Sequence, residues 1–212
     1  MNVLSNGGQV SPGDATTTLP ARRPGILTWQ GVSSPMMESV RLLATEDRLR
    51  ASGRAIASGE HGVEPYSASF ELTVNAAGVV SRLLLRCSTA EEERQLSLNR
   101  SEDGVWLVDH GDGAERTEFD GALDVDVERL ALFNALPVRR LGLHRSPGKY
   151  DLPVVFVTLP GLATRLVRQN YTTVSVGERN SVVRYASGSF SADLTFDADG
   201  LVLDYPGLSR RL

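Results

Sequence analysis

Two aspartates set two residues apart, Asp124 and Asp126, are the side chains best placed by type and spacing to do chemistry in this 212-residue chain. If the segment is extended, both carboxylates project from one face and Leu123, Val125 and Val127 from the other. Two carboxylates on one face repel unless water, a metal or an arginine neutralises them. Three readings stay open on spacing alone: a solvated strand edge, a D-x-D cation site for nucleotide-sugar chemistry, or an acid and base pair with an arginine stabilising an anion. Nothing else in the chain supports a nucleotide site. Downstream, Pro137 biases the chain toward an extended course, on which neighbours face opposite sides. Arg139 then shares its side with Leu141 and Leu143, and Arg140 with Gly142 and His144. Arg139 is expected to turn inward onto Asp124 or Asp126, and Arg140 outward.

Other candidates fail on spacing. Asp197, Asp199 and Gly200 resemble the middle of a calcium loop, but the frame needs an acid at Thr195 and a glutamate at Pro206. His61, His110 and His144 are far apart and have no second ligand nearby, so zinc is not expected. No nucleophile elbow, phosphate loop or dinucleotide glycine run occurs. Cys87 stands alone in a strand-like run and reads as a small core residue. No cofactor and no metal is called for.

The elements that must hold these residues read mainly as strands. Tyr66, Ala68, Phe70, Leu72 and Val74 alternate with Ser67, Ser69, Glu71 and Thr73, which gives one apolar and one wet face. The same period runs through 79–87, with Val79, Leu83, Leu85 and Cys87 on one side. Segments 95–99, 154–159 and 190–196 also read as strands. Helical spacing is scarce, and its one candidate is 127–136, which Pro137 should stop. The turns 75–78, 101–104 and 197–200 each open on Asn, Ser or Asp and close on glycine, which suits a type I turn ended by a left-handed residue. Three such hairpins imply an antiparallel meander rather than βαβ units. About ten short strands must curl or close. The expected fold is mainly β, an antiparallel spiral roll or half-barrel with at most one or two short helices.

Composition narrows the function classes. There are 22 basic against 26 acidic residues, and 41% of the chain is hydrophobic. A net charge of −4 lacks the broad positive field that nucleic acid or an anionic bilayer would select. Residues 1–25 are rich in Ser, Gly, Thr and Pro, have no apolar leader region, and read as a flexible tail before a single unit at 26–212. With one cysteine, no leader and no apolar run long enough to span a bilayer, a cytoplasmic location is expected.

The run Asp124-Val125-Asp126, followed by Phe133-Asn134-Ala135-Leu136-Pro137-Val138-Arg139-Arg140-Leu141, resembles the signature of the bacterial "putative glycolipid-binding" family. The ending from Asp199-Gly200 through Tyr205-Pro206-Gly207-Leu208 to Arg210 is similar to that family's C-terminal motif. Trp29, Pro65-Tyr66, Arg82 and Gly104-Val105-Trp106 fall in the expected order. Leu132 stands where the family usually has proline, Ala135 replaces a threonine, and the Gly-Cys common before Asp124 is missing. The resemblance implies a spiral β-roll similar to the half-barrels of bacterial lipoprotein carriers. It also implies non-catalytic binding of a lipid or glycolipid on the concave face. It carries over no catalytic residue. The ligand-contact set expected on this basis is Trp29, Arg82, Trp106, Asp124, Asp126, Asn134, Arg139, Arg140 and Tyr205, with Trp106 and Tyr205 at the roll interior or its mouth. An enzyme using the aspartates with Arg139, or an interaction module with a self-filled roll, are the alternatives.

Overall fold

The period-two segments become strands with the expected faces. In the computed structural model, which describes residues 25–44, 48–59 and 62–212, Tyr66, Ala68, Phe70, Leu72 and Val74 are all buried. Residues 1–24 and His61 lie outside the described residues, so the tail reading falls there. The first eight strands are β1 (Gly25–Gly31), β2 (Met36–Ala44), β3 (Arg48–Ala57), β4 (Tyr66–Asn75), β5 (Val80–Ser88), β6 (Glu93–Arg100), β7 (Trp106–Asp109) and β8 (Ala114–Thr117). Then come β9 (Asp124–Val127), the helix α1 (Ala131–Arg140), β10 (Lys149–Val157) and β11 (Thr164–Val176). The chain ends with β12 (Asn180–Ser187), β13 (Phe190–Asp197), β14 (Val202–Tyr205) and β15 (Ser209–Arg211).

These form one open sheet of fifteen strands, more than the ten expected, in the order β8 back to β1 and then β15 back to β9. The fold is an antiparallel-dominated β-roll. Gly78, Gly104 and Gly200 take left-handed φ of 77°, 89° and 72° and close their turns as read. In β5 the inward residue is Val80 rather than Val79, because the pairing with β4 slips one place beside it.

Two expectations fail together around the signature run. β9 and β10 pair in parallel, so the meander contains one βαβ unit after all, with α1 as its crossover. The helix starts at Ala131 and continues through Pro137 to Arg140 instead of stopping at Leu136. A mid-helix proline costs about 3 kcal/mol in isolation. Here residues 131–138 are all buried, and that burial outweighs the lost backbone bond.

α1 lies in the concavity of the roll, so the chain supplies its own filling there. Phe133 meets the Phe70 ring of β4 at 5.2 Å between centroids. Gly53 on β3 makes room for that ring, because a Cβ at Gly53 would come within 2.2 Å of Phe70. The sheet is therefore packed by the chain's own side chains under α1. Its free edge β8 is only four residues long and carries Glu115 and Arg116, which discourages edge pairing.

Candidate functional site

α1 has two ends of opposite character, and the signature residues divide between them. Its N-terminus has no capping side chain of its own at Leu130. Instead Glu38 reaches in from β2 and accepts the backbone N–H of Ala131 at 2.7 Å. It also accepts that of Leu132, at 3.4 Å. A carboxylate suits the positive end of the helix dipole. Full burial nevertheless pushes the Glu38 carboxyl up to about 8, and the two N–H bonds only partly offset this. Glu38 was not among the sequence candidates. Its signal was legible all the same, since an acid occupies the inward phase of Met36, Glu38, Val40 and Leu42.

Beside this end opens a cavity of about 500 Å³. Asp126 and Asn134 contribute to its polar side, and Tyr185, Phe190, Tyr205 and Leu208 are among its apolar lining. Tyr185 is the hub of the rings: it packs on Phe190 at 6.1 Å and edge-on to Tyr205 at 6.2 Å. Behind the rings runs a buried polar chain. The Gln169 amide donates to Asp126 at 2.6 Å. It donates also to the Tyr185 hydroxyl, at 3.1 Å. The Tyr171 hydroxyl donates to the Gln169 carbonyl oxygen at 3.0 Å, and the Asn134 amide donates to Tyr171 at 3.1 Å. Among the described residues no cation is bonded to Asp126. Its burial pushes the carboxyl up to about 7, against the Gln169 bond, and the nearby charge of Glu128 adds to the rise. Glu128 and Arg129 share the same lining, and Arg129 sits at a left-handed φ of 66°. A bulky residue seldom adopts that conformation. Arg165 lies 5.0 Å above the Phe156 ring at the same cavity.

The other end of α1 is paired and basic. Arg140 forms an ion pair with Asp124 through two of its nitrogens, and both side chains are largely shielded from water. Arg139 instead donates to the backbone carbonyl of Asp199. The ion pair expected of Arg139 thus falls to Arg140, and both arginines are half-buried. The expectation assumed an extended chain after Pro137, whereas on the helix successive residues are about 100° apart. Gly200, at its left-handed φ, seats this corner: a Cβ there would come within 2.9 Å of Arg139 and 2.8 Å of His144. Two arginines near a helix C-terminus also suit its dipole.

The aspartates are not on a wet edge either. All four β9 residues are buried, as a strand in a parallel pair between two layers usually is. Asp124 and Asp126 do project to one side, yet each has its own partner and they form no joint site. Trp29 and Trp106 are fully buried, with indole N–H groups donating to the carbonyls of Val202 and Ala122. Both pack the core rather than a rim. Arg82 is exposed on the outer face of β5. Of the expected contact set, the structure brings Asp126, Asn134 and Tyr205 to one cavity. It adds Tyr185 and Phe190 to the lining and Gln169 behind it, none of which a motif marked. Among the described residues no cluster of three or more His, Cys, Asp or Glu is placed to hold a metal.

Comparison with known proteins agrees with this architecture. A DUF1089 family protein from Pseudomonas aeruginosa superposes with a TM-score of 0.68 at 31% identity, over 87% of this chain and 95% of that one. A beta-barrel-like protein of the domain of unknown function DUF1849 from Brucella abortus matches at a TM-score of 0.53 and 9% identity, a likeness of fold alone. It covers 89% of this chain and 93% of that one. No curated protein matches the chain. The family described as "Putative glycolipid-binding" matches residues 26–211, the whole sheet together with α1 and both of its ends, and the chain belongs to that family.

Proposed function

We propose that this chain binds an amphipathic ligand, of the glycolipid class that the family description names, in the cavity beside the N-terminus of α1. The observation that carries this reading is the cavity itself. Its volume of about 500 Å³ falls in the range of small-molecule sites, and it joins an aromatic wall to a buried carboxyl. Ring faces of Tyr185, Phe190 and Tyr205 suit the apolar faces of a sugar or the start of an acyl chain. Asp126 and Asn134 offer acceptors and donors for hydroxyl groups. The concave face of the roll is not the acyl site, because α1 fills it. Trp29, Trp106 and Arg82 leave the proposed contact set, and Arg140 and Asp124 are read as bracing.

Mass spectrometry of the intact protein under native conditions tests the reading. A co-purified lipid should accompany the wild type and be lost from Phe190→Asp, whose ring is half-exposed at the cavity, with melting temperature little changed. Wild-type protein that carries nothing, and takes up no glycolipid on incubation, would remove the proposal.

One observation favours a second reading. A carboxyl near half-protonation at neutral pH, with Glu128 in the same cavity, is the kind of pair that does general acid–base work on a glycosidic bond. Arg139 has no part in it, since it lies at the opposite end of α1. Under this reading Asp126→Asn keeps the ligand bound and abolishes its turnover. Under the binding reading there is no turnover to lose, and the same change weakens retention.

A further inference from the structure

The outer face of the sheet is polar for most of its extent. Along β3 the outward residues are Arg48, Arg50, Ser52 and Arg54, and opposite them β4 shows Thr73, Glu71 and Ser69. At one end the pattern changes. Met37 and Ile56 are directly paired across β2 and β3, and both side chains face outward. Ile56 is 57% exposed and Met37 40%. Together with Pro35, Met36 and Ala57 they line a shallow, mainly apolar depression of about 460 Å³. Val32, in the β1–β2 turn, is 59% exposed. Exposed apolar groups scattered singly need no explanation, but a contiguous patch does.

This patch adjoins the mouth of the candidate site. The Val32 N–H donates to the Leu208 carbonyl at 2.9 Å, and Leu208 lines the 500 Å³ cavity. On the cavity's other flank Phe190 is 49% exposed. Cations flank the same end: Arg54 lies two residues behind Ile56 on the same face of β3, and Arg129 and Arg165 line the cavity. A rim of exposed apolar side chains with guanidinium groups behind it matches the boundary between acyl chains and anionic headgroups.

We propose that this end of the roll, with Val32, Met37 and Ile56 as its apolar contacts and Arg54 as a cation, docks on a bilayer surface containing anionic lipid. The proposal rests on the amphipathic-ligand reading, because a ligand of that class resides in a bilayer and must cross this rim to enter the cavity. A second copy of the chain seated here would cover the rim and close off that route. No helix of the described residues is long and apolar enough to cross a membrane.

Sedimentation with vesicles of equimolar phosphatidylglycerol and phosphatidylcholine, and with vesicles of phosphatidylcholine alone, tests it. The wild type should sediment with the anionic vesicles, and Met37→Asp/Ile56→Asp should lower that partition by about tenfold or more. Both side chains are exposed, so folding is expected to survive, and a retained melting transition checks it. Arg54→Glu should weaken binding to anionic vesicles several-fold, with a deficit that shrinks as salt is raised. Wild-type protein that ignores both vesicle types would overturn the docking surface, even if lipid co-purifies and the cavity reading stands. Conversely, vesicle binding that depends on Met37 and Ile56 without any co-purified ligand would support docking and count against the cavity. A wild-type dimer that Met37→Asp/Ile56→Asp converts to monomer would assign the patch to a second copy and overturn the proposal.

Discussion

Asp124 and Asp126 are two residues apart on one strand, yet they live at different ends of α1 and in different electrostatic company. Burial raises the Asp124 carboxyl above its ordinary value, and the hydrogen bonds and charge of the Arg140 guanidinium offset part of that rise. Asp126 has only the neutral Gln169 and tyrosine hydroxyls, and its carboxyl climbs to about 7. The C-terminal end of the helix is thus a set of matched charges. The N-terminal end holds two buried acids, Glu38 and Asp126, and among the described residues no cation is bonded to either. Burying an acid this way costs stability; Glu38 has the N-terminus of α1 to cap, whereas Asp126 caps nothing. The contrast separates bracing from a site that keeps an unneutralised carboxyl beside a cavity.

The contrast breaks first at Arg140. Arg140→Ala strands the buried Asp124, and stability should drop by about 3–5 kcal/mol in denaturant unfolding. Adding Asp124→Asn should recover much of the loss, and a double variant no better than the single one would deny the pairing.

The second effect is a pH dependence owned by the other end. Glu38 and Asp126 both have folded values above the ordinary carboxylate range, at about 8 and about 7. The folded state therefore holds protons that the unfolded chain has released. Their contribution is full below about pH 4 and declines as pH rises, levelling off above pH 8. Every tenfold gain in a carboxyl's proton affinity on folding is worth about 1.4 kcal/mol, so the fall should amount to several kcal/mol. Glu38→Gln should flatten about half of the profile, and Asp126→Asn most of the remainder. A wild-type curve that rises from pH 5 to 8 would contradict the burial of these acids.

A third, smaller change sharpens the account of the helix seat. Gly53→Ala pushes a methyl into the Phe70 ring that supports Phe133, and should cost about 1–3 kcal/mol. Equal stability would mean that the ring can move aside. Smallest is Arg139→Ala, which removes a bond to the backbone carbonyl of Asp199. A loss of about 1–2 kcal/mol is expected, well below that of Arg140→Ala. The reverse order would restore the inward Arg139 of the extended reading.

Much of this fold is visible in local sequence. The alternation of Tyr66 to Val74 and the glycines closing three turns follow from side-chain period and backbone sterics, which act over a few residues. Glu38 could also be found locally, as an acid in an apolar phase. The cavity could not. Asp126 meets Gln169 and Tyr185 only because β9 pairs with β10, β10 with β11 and β11 with β12, and that strand order is a long-range outcome. Gln169 and Tyr171 sit among polar neighbours in β11, where nothing in the spacing marks the inward side.

By itself the sequence determined that this chain is mainly β, where its hairpins turn and which run of residues, from Asp124 to Arg140, is unusual. Only the tertiary structure decided what that run does. Propensity argued that Pro137 ends the helix, and the surrounding sheet overruled it, because burying residues 131–138 on every side is worth more than one backbone hydrogen bond. Once the chain stays helical past Pro137, Arg140 rather than Arg139 faces Asp124, and Asp126 is left without a cation at the edge of a cavity. Pairing of charges depends on which side chains arrive within a few ångströms, and that distance is a property of the fold, not of spacing along the chain.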